Sequence, residues 1–103
     1  MDNPTELVSM NIIANSGDAR SFAFAALEEA KKGNFEEADE LMKKSNESAT
    51  LAHKAQTELL FAEANGNKTD INVLLIHSQD HLMTSMLAAE LIKELILLYK
   101  DKK

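Results

Sequence analysis

The sequence predicts an all-α fold, an antiparallel three-helix bundle with up-down-up connectivity. Three observations carry this. Ala, Leu, Glu and Lys, all strong helix formers, dominate the composition. The chain has one Pro, at position 4, and three Gly, too few turn residues for a sandwich or a barrel. Two of those glycines, Gly33 and Gly66, divide the 103 residues into three segments of similar length. A chain of this size makes one domain, 1–103.

The first helix is expected over about residues 4–32. Pro4 suits a first turn, with Asn3 before it as a cap. Lys31-Lys32-Gly33 places cations in a last turn and glycine just past it. Gly17 lies inside this helix, beside Ser16 and Ala19. It predicts a kink or a close helix crossing, or else room for a group docking there. The second helix is expected over about 35–65, with Asn34 and Glu37 as a capping box and an acidic first turn. Asn65-Gly66-Asn67 ends it. The third is expected over about 71–100, capped by Thr69 or Asp70. Helices of this length run ~45 Å, and tight turns between them give the antiparallel bundle.

The third helix is apolar almost all round: Leu74, Leu75, Leu82, Met83, Leu87, Leu91, Ile92, Leu95 and Ile96 leave little polar circumference. Such a helix is buried on more than one side. Either the bundle packs loosely and leaves scattered leucines exposed, or the second buried surface comes from another subunit. The second reading is the expectation, homo-oligomerisation with this helix lining a symmetry axis.

Apolar residues make up 45% of the chain, so it is not disordered. The net charge is −6, and no basic patch tracks a phosphate backbone, which argues against nucleic acid. An acidic chain is instead steered toward basic partner surfaces. The absence of cysteine removes disulfides, thiolate catalysis and thiolate metal sites, and fits a reducing compartment. Met1–Glu6 lacks the basic start and apolar run of a signal peptide, and no segment has membrane-spanning length. A cytoplasmic location is expected.

The densest chemistry lies in His77-Ser78-Gln79-Asp80-His81-Leu82-Met83-Thr84. On a helix, His77, Asp80 and His81 fall within about 100° of one another, while Ser78 and Gln79 point elsewhere. The same face carries Val73, Ala88, Leu91 and Leu95, so ionisable groups interrupt an apolar stripe. Three readings follow. His77 and His81 at i, i+4 suit a transition metal, although the Glu of the zinc-protease motif is missing. A neutral imidazole can also accept a phosphoryl group, with a second histidine and the Thr84 hydroxyl contacting its oxygens. Or the groups are a solvated polar face. His53 reads as a packed or edge histidine of the second helix.

The segment 77–84 closely resembles the active-site segment of the lactose/cellobiose-type enzyme IIA component of the bacterial sugar phosphotransferase system. Three further segments resemble that family in the right order. They are Ile12-Ile13-Ala14-Asn15-Ser16-Gly17-Asp18-Ala19-Arg20-Ser21, Gly33-Asn34-Phe35-Glu36-Glu37-Ala38 and Ala52-His53-Lys54-Ala55-Gln56-Thr57-Glu58-Leu59. A mild departure is Ser78, where a small residue such as Ala is common. The resemblance implies a homotrimer of three-helix bundles about a three-fold axis. It implies that His77 accepts a phosphoryl group from the histidine-containing phosphocarrier protein and passes it to a cysteine of the IIB component. A lactose/cellobiose-type disaccharide is then phosphorylated on uptake. Contact with the membrane is only indirect, through the IIC component. It implies too that three copies of Asp80 meet at the axis and share one metal ion.

An all-carboxylate site completed by water suits a hard ion such as Mg2+. The metal is then structural and the histidines are free for transfer, with Nε2 of His77 the expected nucleophile. His81 and Gln79 are candidates to orient that ring or contact the phosphoryl group. Ile76, Leu82, Met83 and Met86 are read either as an apolar docking rim or as core. The alternative function is a non-enzymatic helical oligomer that binds a divalent metal through Asp80 or through His77 and His81. Lactose, cellobiose and diacetylchitobiose all remain open as sugars.

Overall fold

The computed structural model describes residues 4–102 as three helices: α1 (Pro4–Lys31), α2 (Phe35–Ala64) and α3 (Val73–Asp101). They form an elongated bundle of 53 × 24 × 19 Å. The all-α, up-down-up expectation holds, and most boundaries fall within one or two residues of those read from the sequence. The expected cap at Asn3 lies outside the described residues. No described helix is long and apolar enough to cross a membrane.

Both turns are built by glycine in the left-handed region. Gly33 has φ 84° and Gly66 φ 89°. After α1, Gly33 N–H donates to the Ala30 carbonyl and Asn34 N–H to that of Glu29. After α2, Gly66 N–H donates to Glu63 and Asn67 N–H to Ala62. Each pair is a Schellman closure, which satisfies two carbonyls that a helix end otherwise leaves open.

The helix starts differ from the expectation. Asn34 makes no side-chain cap; its amide donates instead to the Glu29 carboxylate at 3.0 Å, so the capping box with Glu37 is not formed. The turn geometry explains this, because the Schellman closure fixes Asn34 at φ −88°, ψ 71°, outside the extended cap conformation. At α3 the cap is Asn72, not Thr69 or Asp70. It is extended, and its side-chain oxygen accepts from Leu75 N–H at 2.8 Å. The helix therefore starts at Val73 rather than at residue 71.

The interior has two layers of small and branched residues. One gathers Ala23, Ala26, Ala30 and Ala38 around Ile92 and Ile96. The other gathers Ile12, Ala52, Ala55 and Leu82. Alanine at so many interior positions brings the helix backbones close together. Between the layers the buried Ser45 hydroxyl donates to the Ala19 carbonyl at 2.6 Å, tying α2 to α1. Because Ile12 shares a layer with Leu82, and Ala26 with Ile96, α1 and α3 run parallel.

α1 packs extensively on both other helices, whereas α2 and α3 touch each other little. They splay, leaving a groove between them. Lys100 bridges it near one end, reaching both carboxylate oxygens of Asp39 at 3.0 and 3.2 Å. This pair is largely in solvent and contributes at most about 1 kcal/mol. Gly17 corrects one expectation: a Cβ placed there meets nothing within 4 Å, so no helix crosses closely at this point. The space beside it is open.

Candidate functional site

α3 has two apolar faces. One holds the buried Ser78, Leu82, Ser85, Ile92 and Ile96 against α1 and α2. The other is in solvent. Along it Val73, His77, Asp80, Thr84, Leu87, Leu91, Glu94 and Leu98 follow one another at alternating steps of four and three, and all are exposed. That spacing is the seam of a coiled coil. Val73 is 82% exposed and Leu98 59%, which is unusual for such residues in a folded protein. Ile76 and Met83 flank the stripe and are exposed. Leu82 is core and Met86 packs half-buried against the Ile12 layer, which divides the four residues of the expected docking rim.

His77 sits on this outer face. Its ring meets that of His81, one turn on, edge-on at a centroid distance of 4.7 Å and 76° between planes. Among the described residues neither His77 nitrogen has a hydrogen-bond partner, so both are available to an incoming group. His81 is different. It is half-buried on the flank of α3, and its Nδ1 is enclosed without a partner. Ser9, Ser16 and Ser85 share that condition, each with an enclosed and unpartnered hydroxyl. An enclosed polar atom without a partner costs about 1–3 kcal/mol.

Thr84 lies on the same exposed face, and its hydroxyl donates back to the Asp80 carbonyl at 2.8 Å. Gln79 lies elsewhere. Its side-chain oxygen accepts from the Gln56 amide of α2, and its own amide is 3.5 Å from the Ser78 hydroxyl. The expectation that Gln79 orients the His77 ring is therefore not met within one chain. A residue two positions from His77 on a helix points to the opposite side, here into the α2–α3 groove. The groove has a volume of about 460 Å³ where Gln56, Leu60, Ile76, Gln79, Asp80 and Met83 line it. His53 is exposed on α2 and takes no part.

Asp80 is exposed in the middle of the stripe, and its carboxylate has no cationic partner among the described residues. One chain offers no group of three or more acidic, histidine or cysteine side chains fit for a metal among those residues. A single carboxylate cannot hold a divalent ion. The donor set fits a hard cation only where several copies of the stripe converge.

Sequence reasoning missed Gln56, although it lies within one of the four family-like segments, and it missed the enclosed serines. A serine in a helix carries no signal of the side it faces apart from period, and the Ser9–Ser16 and Ser78–Ser85 steps of seven were that signal.

Comparison with known proteins places the chain. The model of the phosphotransferase-system lactose/cellobiose-specific IIA subunit matches residues 7–100. The chain is 49% identical over 98 residues to an N,N'-diacetylchitobiose-specific EIIA component of Escherichia coli K12, covering 95% of this chain and 84% of that protein. It is 46% identical to a lactose-specific EIIA component of Staphylococcus epidermidis, covering 92% and 91%. Among solved structures, the cellobiose-specific enzyme IIA of Bacillus anthracis superposes with a TM-score of 0.94 at 51% identity, covering 98% of this chain and 93% of that one. The IIA(chitobiose) chain of an E. coli complex with HPr does so at 0.83 and 46%, covering 97% of each. With nearly the whole length matched and every helix superposed, the chain belongs to the lactose/cellobiose-specific IIA subunit family of the phosphotransferase system.

Proposed function

We propose that the chain is a phosphohistidine carrier. Nε2 of His77 attacks the phosphorus of a phosphohistidine on the histidine-containing phosphocarrier protein. The new N–P bond forms as the donor's N–P bond breaks, and the donor imidazole leaves. In the second step a cysteine sulfur of the IIB component attacks, an S–P bond forms and the His77 N–P bond breaks. Both steps need in-line positioning and electrostatic support rather than a deep pocket. The observation that carries this reading is His77 itself, exposed and with both ring nitrogens unengaged. The relative solved in complex with HPr supports the choice of donor. His81 stands beside the acceptor ring as the supporting group. The work is cytoplasmic, reaches the membrane only through IIC, and serves a disaccharide of the lactose, cellobiose or diacetylchitobiose type.

We infer further that the exposed α3 stripe pairs with two other copies, giving a homotrimer about a three-fold axis. Three Asp80 carboxylates then converge and repel unless protonated or bridged by a cation. A divalent ion such as Mg2+, one per trimer, would neutralise that charge and has no part in the transfer.

The test is intact mass after incubation with phosphoenolpyruvate, enzyme I and the phosphocarrier protein. A gain of ~80 Da, one phosphoryl group, is expected, labile to acid and absent from His77→Ala. No gain with partners proven active on another IIA protein would overturn the reading.

A further inference from the structure

Two enclosed polar atoms on the flank of α3 lie one helical turn apart: Nδ1 of His81 and the Ser85 hydroxyl, each without a partner. Residues four apart on a helix are neighbours on its surface, and helical side chains lean toward the N-terminus, which turns Ser85 toward His81. A helical serine ordinarily donates to the carbonyl four residues back, here that of His81 itself. The structure records no such bond, and the Thr84 hydroxyl already approaches that carbonyl at 3.5 Å. On the facing helix the Ser16 hydroxyl, 0% exposed, is also unpartnered. The parallel register that sets Ile12 beside Leu82 brings Ser16 to the level of Ser85.

We propose that Ser85 is a positioning residue for His81. Its hydroxyl donates to Nδ1 across one enclosed water shared with Ser16, a site with the three polar partners such a water needs. A neutral imidazole has one donor and one acceptor nitrogen. With Nδ1 accepting, the proton sits on Nε2, the nitrogen on the accessible side of a half-buried ring that lies edge-on to His77. His81 then presents an N–H, rather than a lone pair, to a phosphoryl oxygen carried on His77. This use rests on the proposed function; the tautomer itself does not.

The experiment is long-range 1H–15N correlation of the imidazoles in the 15N-labelled chain. The expected native result is a dominant Nε2–H tautomer of His81 with Nδ1 as acceptor. Ser85→Ala is expected to move the population toward Nδ1–H, and Ser85→Thr to restore it. Transfer to His77 in Ser85→Ala is expected to slow about tenfold, the effect of one ordinary hydrogen bond, without a change in KM for the phosphocarrier. A native His81 that carries its proton on Nδ1, or a tautomer balance identical in native and Ser85→Ala, would overturn the proposal. A native Nδ1–H tautomer overturns the proposal even where a variant does not fold, while support rests on the shift in Ser85→Ala and its reversal in Ser85→Thr. A chain that shows the expected tautomer but takes no phosphoryl group at His77 would sink the carrier reading alone.

Discussion

At the scale of single residues, the site is cheap to alter without harming the fold, because His77, the proposed acceptor, is in solvent. His77→Gln removes an exposed ring whose nitrogens hold nothing. Its unfolding free energy is expected to stay within about 0.5 kcal/mol of the native value, while phosphoryl labelling is lost; paired thermal melts and mass spectra check both. Glu29 shows a residue with the opposite balance, structural and away from the site. The Asn34 amide first, then the Lys32 ammonium, hold its carboxyl below its ordinary value of 4.5. A folded-state pKa that is lowered adds stability above the unfolded pKa and loses it as pH falls through the folded one. Native and Glu29→Gln chains are therefore expected to converge in stability as pH drops below about 4.5 and to separate above it, with urea titrations at several pH values as the check. The helical period was enough to put His77 and Asp80 on one face and Gln79 on another. It was not enough to show that His81, at the edge of that face, would be half-buried, since this depends on where α1 lies.

At the scale of elements, the glycine signals in the sequence were the reliable ones and the side-chain caps were not. Gly33 and Gly66 mark the turns because only a left-handed residue closes them. The capping residues compete with local alternatives: Asn34 prefers Glu29, and Asn72 overtakes Thr69 and Asp70 because its oxygen lies three residues ahead of a free N–H at Leu75. Gly17 carried two readings, and the open space around it removes the close crossing. No contact then opposes a methyl group, so Gly17→Ala is expected to stabilise α1 by about 0.5–1 kcal/mol through helix propensity, measured by chemical denaturation. A destabilised variant would mean that a neighbouring copy or partner approaches the backbone there. The double apolar face of α3 was legible as an excess of leucine and isoleucine. Which residues face inward was not, since leucines occupy both faces; Leu82 is 1% exposed and Leu91 56%.

At the scale of the molecule, the outer stripe of α3 is apolar surface that a single chain leaves in solvent. Burying each of its leucines stabilises an assembly by about 1.5–3 kcal/mol, and three copies of the stripe multiply the gain. In the proposed trimer the converging Asp80 carboxylates oppose it. Two substitutions separate these contributions. Leu91→Lys places a charge in the middle of the apolar run while leaving the inner face of α3 untouched. Sedimentation is expected to find monomers, with helical circular dichroism retained. Asp80→Leu removes the proposed repulsion and the proposed cation together and replaces both with apolar surface. It is expected to stay assembled, to melt at a higher temperature than the native chain, and to ignore chelators, whereas the native assembly is expected to melt lower once divalent ions are removed. An Asp80→Leu chain found only as monomers would reverse the assignment. The carboxylates with their bridging ion would then be the glue, and the leucines a surface kept exposed for the proteins proposed to deliver and collect a phosphoryl group.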